Sequence, residues 1–159
     1  MFTVEDGSIV TGANSYVTVA YADAYHSDRA NTSWTGTDAV KQAALVKATD
    51  YINQVYDSLW NGYIVDSDQP LSWPRYDVEN VDSDVIPDRL KQAVCLLALE
   101  SLSADLNPVQ ARAVKREKVD VVEVEYMDNA MAGKSRPAVS GLLAPYVMGS
   151  FYNRPIVRV

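Results

Sequence analysis

The side chains with chemical potential are few and scattered. His26 is the one histidine in 159 residues. A Ser-His-Asp triad would have to be built on it, and a multi-histidine metal site is excluded. No Gly-x-Ser-x-Gly turn is present to present a serine nucleophile. His26 therefore reads as a surface or loop-packing residue. Cys95 is the one cysteine and lies in the apolar run Ala93-Val94-Cys95-Leu96-Leu97. A thiol there is a small inert hydrophobe, not a nucleophile. The stretch Asp77-Val78-Glu79-Asn80-Val81-Asp82-Ser83-Asp84 sets oxygen ligands at the close spacing of a calcium loop. It lacks the glycine and the terminal glutamate of that pattern, so solvated charge is the default reading and cation binding the alternative. No pair of carboxylates stands out for glycoside hydrolysis. Gly7 and Gly12 lack the strand-to-helix context of a phosphate loop. Arg112, Lys115, Arg116 and Lys118 make a basic stretch too short for a phosphate-tracking surface. Tyr16, Tyr21, Tyr25, Tyr51 and Tyr56 have rings that stack on bases, but their helical spacing beside alanines marks core. No set of residues composes a known reaction. The chain reads as a non-enzyme with no cofactor, catalytic residue or metal ligand to assign.

The elements that carry these residues are mostly helical. Thr18 caps a first short helix running to about Arg29. Thr37, with Asp38 in the first turn, starts a second reaching about Leu59. Val40, Ala44, Ala48, Tyr51, Val55 and Leu59 fall on one face of it, at spacings of three and four. Pro87 suits the first position of a third helix, which extends to about Leu106 and is apolar on nearly every side, as a buried central helix is. Val119 to Tyr126 alternates with period two and predicts a strand. A short last helix holds Leu142, Leu143 and Tyr146. Four segments carry little core of their own: 1–15, 61–86, 115–137 and 150–159. The expected fold is therefore mainly α: a small bundle of three to four helices with extended arms and a short strand or hairpin. Residues 1–159 form one domain, with 1–15 an extended N-terminal segment and 150–159 an extended tail. A tail that short cannot bury itself and is a candidate to dock on a neighbouring chain.

Bulk properties narrow the partners. The net charge of −7 is unevenly spread: residues 1–111 carry 6 basic and 16 acidic side chains, residues 112–159 carry 8 and 5. An acidic body disfavours broad nucleic-acid binding, which rests on neutralising phosphates. The basic last third suits either an acidic partner or plain solvation. The longest apolar run, Ala93 to Leu99, is far too short to span a bilayer, so no membrane partner is expected. The first residues lack the basic and apolar regions of a signal peptide, and a chain without disulfides fits a reducing cytosol.

Several stretches in order carry a family resemblance. They are Gly12-Ala13-Asn14-Ser15-Tyr16-Val17, Ala22 to His26, Ala43 to Leu45, Ala48 to Ile52, Trp60-Asn61-Gly62, Gln69-Pro70-Leu71-Ser72-Trp73-Pro74-Arg75, Ile86-Pro87, Glu117 to Val119 with Val124 to Tyr126, and Leu142 to Tyr146. The chain resembles tailed-phage and prophage proteins labelled "DnaT-like single-stranded-DNA-binding", which are similar to small helical head–tail connector (adaptor, head-completion) proteins. The resemblance implies a structural virion protein, made in the host cytoplasm and placed at the head–tail interface. It implies a homo-oligomeric ring of twelve copies beneath the portal protein, joined to tail or tail-completion proteins. Double-stranded DNA passes through the lumen without specific binding, for which an acidic or neutral wall is apt. The expected portal contacts are Arg154, Ile156, Val157 and Arg158. Val122, Val124 and Tyr126 are expected to meet a neighbouring copy or the tail. Trp73, Pro74 and Arg75 form a structural brace, with Arg75 pairing to acids. Two other readings compete: a single-stranded-DNA-binding accessory protein, and a small metal-dependent enzyme using the acidic loop.

Overall fold

Helix α1 (Val19–Ser27) begins where Thr18 Oγ1 accepts the Tyr21 N–H at 3.1 Å, the cap its sequence predicts. Helix α2 (Asp38–Tyr56) opens in the same way on Thr37, and a 3₁₀ turn, Asp57–Leu59, carries it to Trp60. Strands β1 (Tyr63–Ile64) and β2 (Arg75–Tyr76) then pair antiparallel. Helix α3 (Asp88–Ser101) follows Pro87, whose carbonyl accepts the Leu90 and Lys91 N–H groups. Pro87 is thus the cap, not the first helical residue. Strands β3 (Arg116–Val119) and β4 (Val122–Glu125) form a second antiparallel pair. Helix α4 (Pro137–Leu143) ends in the 3₁₀ turn Ala144–Tyr146. The computed structural model describes residues 1–108, 116–119, 122–125 and 135–148, and of β3 and β4 the backbone. Among these residues the architecture is the expected one, mainly helical, with four α-helices and short antiparallel pairs. None of the described helices is long and apolar enough to cross a membrane.

Helix α3 is the hub, packing against α1, α2 and α4. Its Leu90, Ala93, Val94, Leu97 and Ala98 are fully buried, as its all-round apolar pattern requires. They meet Ala44, Leu45, Ala48 and Ile52 from α2 and Val139 and Leu143 from α4. Each buried Leu or Ile contributes about 1.5–3 kcal/mol relative to exposure.

Several expectations need correction. On α2 the buried face is Ala44, Leu45, Ala48, Thr49 and Ile52, while Val40, Val55 and Leu59 are 48, 41 and 41% exposed. Spacing fixes the period of a helix but not its phase. Ala44 and Ala48 belong to either stripe, and the larger side chains Leu45 and Ile52 set the face turned inward. Helix α3 stops at Ser101, short of Leu106. Ser101 Oγ donates back to the Ala98 carbonyl at 2.8 Å, and beyond it Leu106 turns its carbonyl towards Arg136. The strand expected over 119–126 is two strands, with Val119 opposite Val122.

The N-terminal segment is tied down by its own hydrogen bonds. Val4 bridges Ser15, and the buried Glu5 carboxylate accepts the N–H groups of Gly7, Ile9 and Val10 at 2.9–3.0 Å. Gly7, at φ +108°, lets this loop lie on the Asp84 carbonyl, where a Cβ would stand 1.8 Å away. Three hydrogen bonds to one carboxylate offset the cost of burying it.

Candidate docking surface

The 61–86 connection is organised from within by its Leu-Ser-Trp-Pro-Arg stretch. Trp73 is fully buried. Its ring meets Trp60 and Tyr146 edge-on at 5.7 and 5.6 Å, so it ties α2's end to the chain after α4. Its backbone N–H donates to the Tyr16 hydroxyl, which donates in turn to Asn53 Oδ1 at 2.8 Å. Burial raises the Tyr16 pKa, which keeps that hydroxyl a donor. Ser72 Oγ donates to the Asp57 carboxylate at 2.6 Å, and the Trp73–Pro74 bond is cis. The indole N–H groups of Trp60 and Trp73 have no acceptor among the described residues, so shape rather than hydrogen bonding holds this cluster.

Arg75 braces the hairpin, but not through acids. Its guanidinium donates to the carbonyls of Asn61 at 2.9 Å, Gly62 at 2.9 Å and Ser72 at 3.1 Å. Burial draws its pKa down, and the Asp57 charge opposes that shift. A planar fork with five donors suits three converging carbonyls. Gly62, at φ +66°, completes the approach. A Cβ there would stand 2.2 Å from the Tyr76 carbonyl.

With the inner side anchored, the outer side is left apolar. Tyr63 pairs with Tyr76 across the strands, and their rings stack at 5.5 Å in the open. They are 61 and 47% exposed, and Ile64 and Val65 beside them are 42 and 39% exposed. An open cleft of about 270 Å³ adjoins Ile64, lined also by Asn53, Asp57, Gln69 and Leu71. The connection holds Asp66, Asp68, Asp77, Glu79, Asp82 and Asp84, all exposed, against the single buried Arg75. The surface is thus aromatic and aliphatic, and the connection that carries it is acidic. Sequence reading missed it. Its signal was Tyr63-Ile64-Val65, an apolar triplet in an acidic loop, and Tyr76 directly after the buried anchor.

A second anchor was also missed. Arg136, just before α4, forks onto Glu100 at 2.8 and 3.2 Å, donates to the Tyr51 hydroxyl at 2.9 Å and to the Leu106 carbonyl at 3.0 Å, and lies over the Tyr51 ring. It fastens α4 to α2 and α3. The Glu100 hydrogen bond raises its pKa.

The remaining candidates fall elsewhere. His26 is buried rather than on the surface. It packs on Trp34 at 4.6 Å, with Nδ1 3.0 Å from the Asn31 amide, and burial lowers its pKa. Cys95 is buried and its thiol is pushed up to about 12. In the acidic loop Val78 is buried and bridges Val81, which turns the acids outward. Among the described residues no three His, Cys, Asp or Glu side chains gather to hold a metal. Val122 and Val124 lie on β4. Tyr126, Arg154, Ile156, Val157 and Arg158 lie outside the described residues, as do Arg112 and Lys115.

Fold and surface define a class: a small mainly helical protein whose long inter-helix connection is folded into a hairpin with an apolar outer side. Within that class, the chain belongs to the family described as "Putative DnaT-like ssDNA binding protein", whose model matches residues 1–159. No curated protein and no solved structure matches the chain.

Proposed function

We propose that this is a structural virion protein, a head–tail adaptor. It forms a ring of twelve copies beneath the portal and joins the DNA-filled head to tail or tail-completion proteins. The observation that carries this reading is the Tyr63/Ile64/Val65/Tyr76 surface. It is exposed, apolar, anchored from behind and flanked in sequence by Asp66 and Asp77. Apolar surface held out on a braced hairpin suits a protein partner. An acidic exterior also suits a lumen wall past which DNA slides without sticking. The test is to mix the purified protein with the portal ring of the same phage and weigh the product by native mass spectrometry. About one copy per portal subunit supports the adaptor. A protein that fails to join portal rings taken from DNA-filled heads overturns it.

The second reading is single-stranded-DNA binding. It is favoured by the family description and by the exposed tyrosine pair, whose rings have the form of a base-stacking platform. The six exposed acids of the same connection oppose it, because a strand brought there meets repulsion where it needs counter-charge. Salt-sensitive binding of a labelled oligonucleotide decides for this reading, and no binding at low salt decides against it.

A further inference from the structure

We propose that the cleft at the C-terminal end of α2 is a receptor for an arginine side chain of a protein partner. The cleft, of about 270 Å³, is formed by Asn53 and Asp57 from the end of α2 and by Ile64 and residues 69–72 from the connection. Successive side chains of a strand point to opposite faces. Ile64 therefore turns to the cleft while Tyr63 stacks on Tyr76 on the other face of the hairpin. The cleft is thus a site apart from the tyrosine pair.

Charge and hydrogen bonding select the occupant. Asp57 is the C-cap of α2, whose last turn holds no basic residue. The carbonyl end of a helix carries partial negative charge and favours a cation, yet here it carries a carboxylate. Ser72 Oγ donates to one oxygen of that carboxylate, and the second oxygen accepts nothing among the described residues. The charge of Arg75 is felt there, but its donors are spent on the Asn61, Gly62 and Ser72 carbonyls. The rest of the polar lining is largely used. The Gln69 amide accepts the Val65 and Asp66 N–H groups and donates to the Leu71 and Pro74 carbonyls. Asn53 Oδ1 accepts the Tyr16 hydroxyl. An anion would meet a carboxylate here, and an apolar side chain would desolvate that carboxylate without pairing it. An arginine satisfies both halves of the cleft: its stem lies on Ile64, Pro70 and Leu71, and its head donates to Asp57. A lysine ammonium is more strongly hydrated and gives up more on entering a half-apolar cleft.

The test titrates the full chain, nitrogen-15 labelled, with the peptide acetyl-Leu-Arg-Leu-amide and follows the amide resonances by NMR. The counterpart with citrulline in place of arginine has the same shape without the charge. The arginine peptide is expected to bind in the millimolar range and to shift the Asn53 side-chain amide and the Ser72 backbone amide. The citrulline peptide is expected to bind at least ~10-fold more weakly, and so is the arginine peptide on Asp57→Asn, which keeps an acceptor for Ser72. Glu79→Gln removes the same charge from an exposed position outside the cleft, and should bind within about twofold of wild type. The spectra themselves show that each variant stays folded. The proposal is overturned by unmoved cleft resonances at up to about 10 mM arginine peptide, by equal binding of the citrulline peptide, by undiminished binding to Asp57→Asn, or by an equal loss in Glu79→Gln. The inference does not depend on the adaptor reading, which the portal mixture tests and these titrations leave untouched.

Discussion

Replacing Arg136 by Met should unseat α4. The methionine keeps much of the stem over Tyr51 but removes the fork to Glu100, the donor to the Tyr51 hydroxyl and the donor to the Leu106 carbonyl. The Arg136 side chain is 8% exposed and Glu100 20%, so the pair is mostly desolvated. Removing one partner of a buried pair costs about 3–5 kcal/mol, chiefly from the charge left behind, and the residual exposure of Glu100 places this case near 3 kcal/mol. For a chain of this length that lowers the melting temperature by roughly 6–12 °C. Thermal melts followed by far-ultraviolet circular dichroism measure it. The double variant with Glu100→Met should recover part of the loss, because it also removes the carboxylate that the Arg136 fork held, and the two changes should couple by at least ~1 kcal/mol. A single variant melting within 2 °C of wild type (about the ~0.5 kcal/mol expected of an ordinary surface change), or strictly additive losses, would refute the reasoning.

Other outcomes follow from buried groups. Burial lowers the His26 pKa below 6.5, so the unfolded chain takes up that proton first. The stability tied to His26 is whole above pH 6.5 and is lost as pH falls towards the folded-state value, at no more than ~1.4 kcal/mol per pH unit. Urea midpoints at neutral and mildly acid pH should show this slope in wild type and not in His26→Phe. Cys95, its thiol pushed up to about 12, should react with a disulfide reagent at least ~10³-fold more slowly in the folded protein than in denaturant; rapid labelling of the folded chain contradicts its buried setting. The Asp23 carboxyl is held below its ordinary 3.8 by its bond from Lys41 and then by that from the Trp34 indole. Its contribution is present above pH 3.8 and disappears as pH falls through the folded value. The carboxylate is 43% exposed, so Asp23→Asn should cost less than ~1 kcal/mol at neutral pH, read by Trp34 fluorescence in a urea titration.

The helices were legible because their signals are local. Thr18 and Thr37 cap as predicted, and α3 announces its central place by carrying apolar residues on every side. What depends on long-range meeting was not. Arg75 and Arg136 are ordinary basic residues in sequence. Only folding brings Asn61, Gly62 and Ser72 carbonyls to one, and Glu100, Tyr51 and Leu106 to the other. The same holds for Glu5, a surface-type residue made internal by three amides of its own loop. That Trp73 would be buried was readable from its setting between Ser72 and Pro74. The exposed pair Tyr63–Tyr76 was not, because a two-residue strand has no period to detect.

The short pairing of Tyr146–Met148 with Leu59–Asn61 has a mechanical meaning. A pull on residue 149 does not fall first on α4, a helix of two turns. It is taken up by the bonds joining Met148 to Leu59 and Asn61 to Tyr146, and behind them by the edge-on rings of Trp60, Trp73 and Tyr146. The tether is rooted in the middle of the chain, where the Arg75 fork and the Tyr16 hydroxyl stiffen the same ground. Tension applied at residue 149 is thus shared with the mount of the hairpin.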